Sequence, residues 1–368
     1  MSQDAVPRTS ALTFEKGACC ICGREDGEVL VKGKAPTLGS NSPEFAFIRC
    51  PECRVLFLDP RPTDESIGLL YPDQYYSRDF QPIRQAVVQK SSRLKQRLQF
   101  RILRSYGLIR EPDAGEPERG SHWAPPRPPA AVWDLVCKTT VFPLAVRWSP
   151  LLQTLVYNRR FLRFRRKPAR VLEVGFGNGL LLYALSHLDT ELFGTEISPE
   201  ACKVLAETLG AKTFCGQLWE ANYEDNQFDL VIFSHSLEHL ADPMRALREA
   251  QRIISPQGSV LVSVPNPDSL SARVFREHWT GYDFPRHLFL FGPDALRRMA
   301  QEAGLRASVV RFPLESGLYH FTQSINSRLG LRLLPQVLRR TLIAQLLYLP
   351  IAMSTAGDVL TASLSAEK

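Results

Sequence analysis

Apolar and polar positions alternate regularly from Arg170 to Phe312. Short runs rich in Val, Ile, Leu and Phe predict strands, and apolar residues at helical spacing predict the helices between them. Strand and helix repeats of this kind start at RVLEVG and continue to RASVVRF. Strands that alternate with helices form a parallel sheet with helices on both faces, so we expect an α/β domain over residues 169–368.

Residues 313–356 interrupt this alternation with apolar helices, and the segment DVLTASLSA behind them has the period of a strand. The apolar core of the interruption is shorter than the roughly 20 residues that a membrane-spanning helix needs. We therefore expect a helical insertion that forms a lid, a dimer face or a helix lying on a membrane surface.

The chain upstream of this domain is less regular. Residues 111–130 are dense in Pro, Gly and Glu and predict a flexible linker. Residues 81–110 before it have a helical period with many basic positions, and the segment after it is apolar but interrupted by prolines. We assign residues 61–168 as a helical connector, whose basic face is either solvated or in contact with phosphates of nucleic acid or lipid.

Cysteines concentrate near the N-terminus. Five of the 8 lie within the first 53 residues, and four of them form two C-x-x-C pairs, Cys19 with Cys22 and Cys50 with Cys53. Paired motifs of this kind are typical of a tetrahedral zinc site in a reducing compartment. The sequence therefore predicts a structural, ribbon-like zinc-binding module over residues 15–60, in which a fifth cysteine, Cys20, offers an alternative ligand.

Composition narrows the cellular setting. At 368 residues the chain suits two domains, and 44% hydrophobic with 23% charged residues is typical of soluble proteins. The polar N-terminal segment does not resemble a signal peptide, which favours the cytoplasm. A net charge of +7 favours an anionic partner: nucleic acid, a membrane surface to which the protein binds peripherally, or a phosphorylated small molecule.

A glycine-rich turn follows the first strand of the predicted domain. Gly175, Gly177 and Gly179 stand at alternate positions before the helix LLLYALSHL. Glycine lets backbone N–H groups and a helix N-terminus approach a ligand closely, so we expect a nucleotide-like ligand here. Glu196, at the end of the second strand, is placed to accept hydrogen bonds from ribose hydroxyls. Nicotinamide and adenosyl cofactors both fit, but the third glycine comes one residue early for the G-x-G-x-x-G dinucleotide motif.

Four segments in this order, RVLEVGFGNG, FGTEIS, FDLVIFSHSLEHLADP and LREAQRIISPQGSVLVSVPN, resemble the successive motifs of a class I S-adenosylmethionine-dependent methyltransferase. The CxxCG and RCPEC pair, DPRPT, YPDQYY and HWTGYDFPRHLFLFGPDAL resemble more narrowly the bacterial methyltransferases with an N-terminal zinc-binding segment, a type associated with sugar and cell-surface polysaccharide biosynthesis. The resemblance covers residues 19–80 and 170–312. It implies a Rossmann-like sheet of seven strands whose last strand, DVLTASLSA, is antiparallel.

The resemblance also implies which residues bind S-adenosylmethionine. The glycine turn lies beneath the methionine part, Glu196 holds the ribose, and the segments after the third and fourth strands flank the adenine and the sulfonium. Gln217 is a departure, because many of these enzymes have an acid at that position facing the adenine amine. The implied cofactor-binding set is Glu173, Gly175, Gly177, Asn178, Gly179, Glu196, Ile197, Gly216, Gln217, Leu218, Ser234 and His235.

The segment HSLEH, residues 235–239, also matches the H-x-x-E-H pattern of inverted zincins. In those proteases both histidines lie within one helix. His235 instead ends a predicted strand, where a parallel sheet opens its ligand crevice, so we do not favour a protease. Histidines that only form hydrogen bonds in a packed loop remain an alternative.

Methyl transfer to a hydroxyl or carbon acceptor also requires a base. We expect His239 or His287, with Glu238, to supply it, and a capping or packing role fits both histidines equally well. Candidates for binding a sugar or a phosphate lie on the loop that carries His287: Tyr282, Asp283 and Arg286.

The favoured function is methyl transfer from S-adenosylmethionine to a small molecule: a sugar, a nucleotide sugar or a glycan terminus, with phosphorylated and lipid-linked sugars included. A nucleic-acid methyltransferase is an alternative that we do not favour, because SHSLEH replaces the Asn/Asp-Pro-Pro-aromatic tetrapeptide expected of enzymes that methylate base amines. A non-catalytic binding protein that keeps the cofactor fold is the third hypothesis.

Overall fold

A computed structural model of the chain describes residues 12–35, 38, 42–71, 80, 83, 170–186, 190–311, 314–329 and 357–366. Most of the predicted connector (61–168), with its linker (111–130), and much of the predicted insertion (313–356) lie outside these residues, so those assignments and the domain boundaries stay predictions. Among the described helices, none combines the length and the hydropathy that crossing a membrane would need.

The N-terminal part consists of short antiparallel strands followed by one helical turn. The strands β2, β3 and β4 form a meander, and β1 pairs separately with β5. In chain order the elements are β1 (Phe14–Glu15), β2 (Glu28–Lys34), β3 (Glu44–Arg49), β4 (Leu56–Asp59), β5 (Arg61–Pro62) and α1 (Asp64–Ile67).

Residues 170–366 contain a larger sheet, with helices between its strands. The strands are β6 (Arg170–Val174), β7 (Glu191–Glu196), β8 (Lys212–Cys215), β9 (Phe228–Ser234), β10 (Ile254–Pro265), β12 (Leu305–Arg311) and β13 (Val359–Ala366), while β11 (Phe289–Leu290) joins the N-terminal sheet. The helices are α2 (Leu180–Leu185), α3 (Pro199–Leu209), α4 (Pro243–Ile253), α5 (Leu270–Phe275), α6 (Pro293–Glu302) and α7 (Leu314–Leu329).

The larger sheet has seven strands in the order β12-β13-β10-β9-β6-β7-β8. The strands from β10 to β8 are parallel, whereas β13 runs antiparallel to both β10 and β12. Strand β9 is apolar and buried along almost its whole length, as expected for a parallel strand covered on both faces. The seven-stranded sheet with an antiparallel last strand, expected from the resemblance, is confirmed.

Polar caps start three helices just beyond the strand ends. Ser198, Asp242 and Ser269 each accept a hydrogen bond from the backbone N–H three residues later, at 3.3, 2.8 and 3.0 Å. Such caps satisfy N–H groups that the helix leaves unpaired. They fix where α3, α4 and α5 begin and so shape the edge of the sheet at which the glycine turn lies.

Two details of the large sheet differ from the sequence prediction. The helix predicted to reach Pro256 ends at Ile253, and β10 begins directly at Ile254, with a shift in its pairing to β9 before Ser259. Helix α5 was not predicted, because its six residues are too few to show a helical period.

The N-terminal sheet is completed by a strand from the far end of the chain. Strand β11 pairs antiparallel with β4, with Phe289 opposite Phe57, and the N–H of Leu58 donates to the carbonyl oxygen of Leu288 at 2.9 Å. Two aromatic rings of the preceding loop, Tyr282 and Phe284, lie 5.5 and 5.2 Å from the ring of Phe47 on β3. One cluster of buried side chains therefore runs through both sheets.

Asp358, at the start of β13, is fully buried and ties α5 to the sheet. Its carboxylate accepts hydrogen bonds from Trp279 Nε1 at 2.8 Å and from Ser271 Oγ at 2.7 Å. We expect Asp358→Ala to lower the free energy of unfolding by about 3–5 kcal/mol, because two buried donors lose their acceptor. Urea denaturation measures this. Asp294→Ala, at an 84% exposed carboxylate, is the control, and an equal effect of the two substitutions would contradict the role assigned to Asp358.

Candidate functional site

The glycine turn after β6 adopts a backbone that only glycine accepts easily. Gly175, Gly177 and Gly179 have φ values of 68°, 53° and 71°. A Cβ atom added to Gly175 would stand 2.8 Å from the Cβ of Ser236, and one added to Gly179 would stand 2.4 Å from Leu205 Cδ1. The positive φ and the close neighbours both exclude a side chain, so the predicted tight turn is present.

Glu196 ends β7 beside this turn. Its carboxylate accepts hydrogen bonds from the backbone N–H of Gly177 at 3.0 Å and of Ile197 at 2.8 Å. These bonds hold the carboxylate across the mouth of the turn, where ribose hydroxyls of a nucleotide would lie. Ile197, 43% exposed, adds an apolar surface at the same edge, and Asn178 Oδ1 accepts from the N–H of Leu180 at 3.3 Å.

Glu173 lies below the turn, in the interior of β6. Its side chain is buried, and one carboxylate oxygen, Oε2, has no hydrogen-bond partner among the described residues. Burial, and to a lesser extent the charge of Glu196, raise the pKa of Glu173 well above its usual range. An orphaned buried carboxyl beneath a glycine turn fits a cationic group of a ligand, such as an amino group.

Gly216 and Gln217 follow β8, with Leu218 buried behind them. Gly216 N–H donates to the carbonyl oxygen of Glu196 at 3.0 Å, which draws this segment to the ribose side of the crevice. The N–H of Glu220 donates to the backbone carbonyl oxygen of Gln217 at 3.0 Å, and the N–H of Gln217 donates to the Glu220 carboxylate at 2.8 Å. These bonds fix the backbone of the 3-10 turn Leu218–Glu220, at whose start Gln217 lies.

Strand β9 ends at Ser234, and His235 leaves it with φ of 53°. The N–H of His235 donates to the carbonyl oxygen of Ser263 on β10 at 2.8 Å. The following residues form a 3-10 turn, Leu237–His239, rather than an α-helix. His235 and His239 therefore do not lie one helical turn apart, and the inverted-zincin arrangement does not form.

Three side chains meet beside that turn: Glu238, His239 and His287. One ligand atom of each lies within 4.8 Å of the others, and the two imidazole centroids are 4.6 Å apart. The N–H of Leu288 donates to the carbonyl oxygen of Glu238 at 2.9 Å, which fixes the loop carrying His287 against the turn. The three residues predicted to supply a base are thus brought together, and we call them the Glu–His cluster.

Backbone carbonyls orient both histidines of the cluster. Nδ1 of His239 lies 2.9 Å from the carbonyl oxygen of Arg286, and Nδ1 of His287 lies 2.7 Å from that of Gly281. A carbonyl oxygen only accepts hydrogen bonds, so Nδ1 carries the proton in each ring and Nε2 keeps its lone pair. Both Nε2 atoms are therefore able to accept a proton or bind a cation.

Burial sets the charge state of the cluster. It lowers the pKa of His287 to about 4, with a further contribution from His239. Burial opposes ionisation of Glu238, but the nearby imidazoles, with His235 Nδ1 at 3.5 Å, favour it and lower the pKa of the carboxyl to about 2. At neutral pH the cluster therefore contains an ionised carboxylate next to the neutral imidazole of His287.

Two further residues, Tyr71 and His320, were not assigned to the site from the sequence. The hydroxyl of Tyr71, which follows α1, lies 2.9 Å from His239 Nδ1. His320 on α7 lies 6.2 Å from His235 between ring centroids, and burial lowers the pKa of His320 to about 3. Only the folded arrangement shows that these two residues, distant in sequence, reach the same region.

The predicted sugar- or phosphate-binding residues of the loop are engaged within the protein. Tyr282 is 4% exposed and packs among aromatic rings. Arg286 forms a two-point ion pair with Asp283, including Nε to Oδ2 at 2.9 Å. The structure thus gives these three side chains a role in shaping the loop, and it does not support the expectation that Arg286 binds an anion.

The four paired cysteines lie together at one end of the N-terminal sheet. Ligand atoms of Cys19, Cys22, Cys50 and Cys53 are all within 4.8 Å of one another, and Cys20 is outside the group. The Sγ atoms of Cys22 and Cys50 are 3.6 Å apart, close to the roughly 3.8 Å that tetrahedral Zn–S bonds of about 2.3 Å require. Burial raises the pKa of the Cys19 thiol to about 11, and a bound cation would lower it.

The two C-x-x-C turns have the same backbone form. Gly23 N–H donates to the carbonyl oxygen of Cys19 at 2.9 Å, and Arg54 N–H donates to that of Cys50 at 3.0 Å. Gly23 and Arg54 both have positive φ, at 71° and 62°. The second turn thus keeps the geometry of the first although it lacks the glycine, and the arrangement fits a four-thiolate metal site.

Comparisons with known proteins agree with this geometry. The family described as "Methyltransferase domain" matches residues 150–308. The chain is 31% identical over 105 residues to ajmaline N-methyltransferase of Rauvolfia serpentina, covering 26% of this chain and 36% of that protein. It is 27% identical over 149 residues to a ubiquinone biosynthesis O-methyltransferase of Cereibacter sphaeroides, covering 37% of this chain and 60% of that protein. The chain thus spans less than two thirds of the length of these relatives.

Among solved structures, a TehB-like S-adenosylmethionine-dependent methyltransferase from Corynebacterium glutamicum aligns with a TM-score of 0.34 at 16% identity, covering 54% of this chain and 80% of that chain. The sheet order and the glycine turn are those of the class I S-adenosylmethionine-dependent methyltransferase fold, and residues 150–308 match the methyltransferase-domain family. The N-terminal four-cysteine cluster is added to that domain.

Proposed function

We propose that the protein transfers a methyl group from S-adenosylmethionine to a small-molecule acceptor. The observation that carries this proposal is the position of the Glu–His cluster: Ser236, two residues before Glu238, contacts the glycine turn at Gly175. A cofactor cradle and a group able to take a proton thus share one edge of the sheet. This is the edge at which open α/β sheets bind their ligands.

The chain's own residues fit the cofactor. The glycine turn would hold its methionine part, the buried Glu173 carboxylate would face its amino group, and Glu196 would accept from its ribose hydroxyls. Bound there, S-adenosylmethionine supplies an electrophilic methyl group. The protein's contribution is to align the acceptor atom with that methyl and to exclude other nucleophiles.

The cluster accounts for the proton that a hydroxyl acceptor must lose. The acceptor oxygen bonds to the methyl carbon, the carbon–sulfur bond breaks with its electron pair left on sulfur, and the hydroxyl proton departs. His239 is half-buried, whereas Glu238 and His287 are buried, so His239 is the member of the cluster most accessible to an acceptor. We propose that the proton leaves at this cluster, directly on Nε2 of His239 or from an oxygen bound to a cation held there.

Two features support a small acceptor, and a third suggests a sugar. The two relatives are an ajmaline N-methyltransferase and a ubiquinone biosynthesis O-methyltransferase. The turn after β9 is formed by His235–His239 and lacks the tetrapeptide expected of base-amine methyltransferases. The resemblance of the N-terminal segment to sugar-associated enzymes leads us to propose a sugar, a nucleotide sugar or a glycan terminus, and the charge of +7 favours an anionic one.

We also propose that the four clustered cysteines hold one structural Zn²⁺. Four thiolates leave no open coordination position, so the metal would stabilise the N-terminal sheet and take no part in the reaction.

The test uses the full chain with methyl-labelled S-adenosylmethionine and a panel of sugar phosphates, nucleotide sugars and lipid-linked glycans, with products read by mass spectrometry. We expect cofactor binding in calorimetry and a methylated sugar. His239→Asn should keep cofactor binding and lose product. Failure to bind the cofactor would favour a non-catalytic protein, and methylation of RNA with salt-sensitive binding would replace the small-molecule acceptor by nucleic acid.

A further inference from the structure

The carboxylate of Glu238 is buried, and the proposed reaction alone does not explain why. The residue is 0% exposed, and neither carboxylate oxygen accepts a hydrogen bond from any residue in the described ranges. The nearest imidazole nitrogen, His235 Nδ1, is 3.5 Å from Oε1. The neighbouring imidazoles offset part of the cost of burying this carboxylate, and a bound cation would meet the oxygens that accept no hydrogen bond.

The surroundings of Glu238 have the form of a metal site. The two histidines of the cluster present Nε2 lone pairs, because their Nδ1 atoms face the carbonyl oxygens of Arg286 and Gly281. Metal-binding histidines typically donate the other ring N–H to a backbone carbonyl or a carboxylate, which fixes the ring and its tautomer. Both histidines of the cluster make this second layer of contacts.

We propose that Glu238, His239 and His287 bind a divalent first-row transition-metal ion. Their ligand atoms lie within 4.8 Å of one another, and the set of two imidazoles and one carboxylate suits Zn²⁺, Fe²⁺, Co²⁺ or Mn²⁺. Three protein ligands leave coordination positions open, in contrast to the four-cysteine site.

The set differs from the H-x-x-E-H motif of the sequence. His235 of that motif is not a member of the three-residue group, and His287, from a loop 48 positions beyond His239, takes its place. Asp283 is the other acid near the group, with Oδ2 at 4.0 Å from His287 Nε2, but its carboxylate is already paired with Arg286. The ion would therefore be held by the β9 turn and by the loop preceding β11.

An ion at this position would help to activate the acceptor in the proposed methyl transfer. An acceptor oxygen bound at an open position would lose its proton to solvent more readily, because the cation lowers its pKa. This role rests on the proposed methyl transfer, whereas binding of the ion does not.

The test is a titration of the full chain, with zinc left in the cysteine site, by Co²⁺ after dialysis against a mild chelator. We expect the wild type to bind one Co²⁺ with the visible absorption of nitrogen and oxygen ligands and without new thiolate charge transfer. Glu238→Gln and His239→Asn should each weaken Co²⁺ binding at least tenfold. His278→Ala, at a 40% exposed histidine outside the cluster, is the matched control and should bind as the wild type does.

Cofactor affinity, measured by calorimetry on the same samples, separates the two proposals. Retained S-adenosylmethionine binding in the variants shows that they are folded. If Glu238→Gln fails to fold, the test relies on His239→Asn, because His239 is only half-buried. Absence of saturable Co²⁺ binding by the wild type below about 1 mM, or equal binding by all folded variants, overturns the metal site. Co²⁺ binding without S-adenosylmethionine binding would support the metal site and contradict the proposed methyl transfer.

Discussion

Cys50→Ser is expected to remove one equivalent of zinc and to unfold the N-terminal sheet. Structural zinc sites supply about 10–16 kcal/mol of apparent binding free energy to small modules, and that contribution is lost when one ligand is missing. Because β4 pairs with β11 and Tyr71 contacts His239, the loss should spread to the acceptor side of the crevice. We expect methyl transfer to fall at least a hundredfold, with S-adenosylmethionine affinity changed only a few-fold.

Zinc content by mass spectrometry, thermal unfolding and calorimetry measure these effects. Cys20→Ser is the matched control, since Cys20 lies in the same turn and outside the four-cysteine group. It should keep its zinc and its activity. Loss of zinc in Cys20→Ser, with zinc retained in Cys50→Ser, would show that the ligands are wrongly assigned.

Glu196→Ala is expected to weaken S-adenosylmethionine binding about a hundredfold or more. Hydrogen bonds to a charged acceptor contribute about 1.5–3 kcal/mol each, and two ribose hydroxyls would lose theirs. The bonds from Gly177 and Ile197 that help to hold the turn are lost as well. Glu196→Gln keeps one acceptor oxygen and should show a smaller loss.

Calorimetry with S-adenosylmethionine measures this directly. Glu191→Gln is the control, because Glu191 starts the same strand, lies at its opposite end and pairs with Lys212 and Arg170 at the surface. We expect Glu191→Gln to bind S-adenosylmethionine with the affinity of the wild type. An unchanged affinity in Glu196→Ala would place the ribose elsewhere and would remove the cofactor assignment of this crevice.

Local sequence patterns predicted the backbone of the glycine turn. The glycines at 175, 177 and 179 have positive φ, and a rule about which residue tolerates that backbone needs no knowledge of the fold. Period and length likewise predicted the strands of the large sheet, of which β6, β9 and β10 are largely buried. The position of Glu196 follows once the strand and the turn are known.

The residues on the acceptor side of the crevice were harder to predict, because their arrangement depends on contacts between segments that are distant in sequence. Tyr71 belongs to the YPDQYY motif, but neither this motif nor the sequence around His320 indicates that the two residues approach the histidines. The prediction for Arg286 did not include its pairing with Asp283, three residues away, which forms in the folded loop.

The pairing of β11 with β4 bears on how acceptor specificity could be changed by recombination. The N-terminal sheet takes its fourth strand from residues 289–290, and the aromatic side chains of the loop before it lie against β3. A segment of residues 12–71 exchanged alone between two such proteins would meet a foreign edge strand and a mismatched aromatic surface. The unit of exchange that preserves this junction is discontinuous: residues 12–71 together with the loop from 279 to 291.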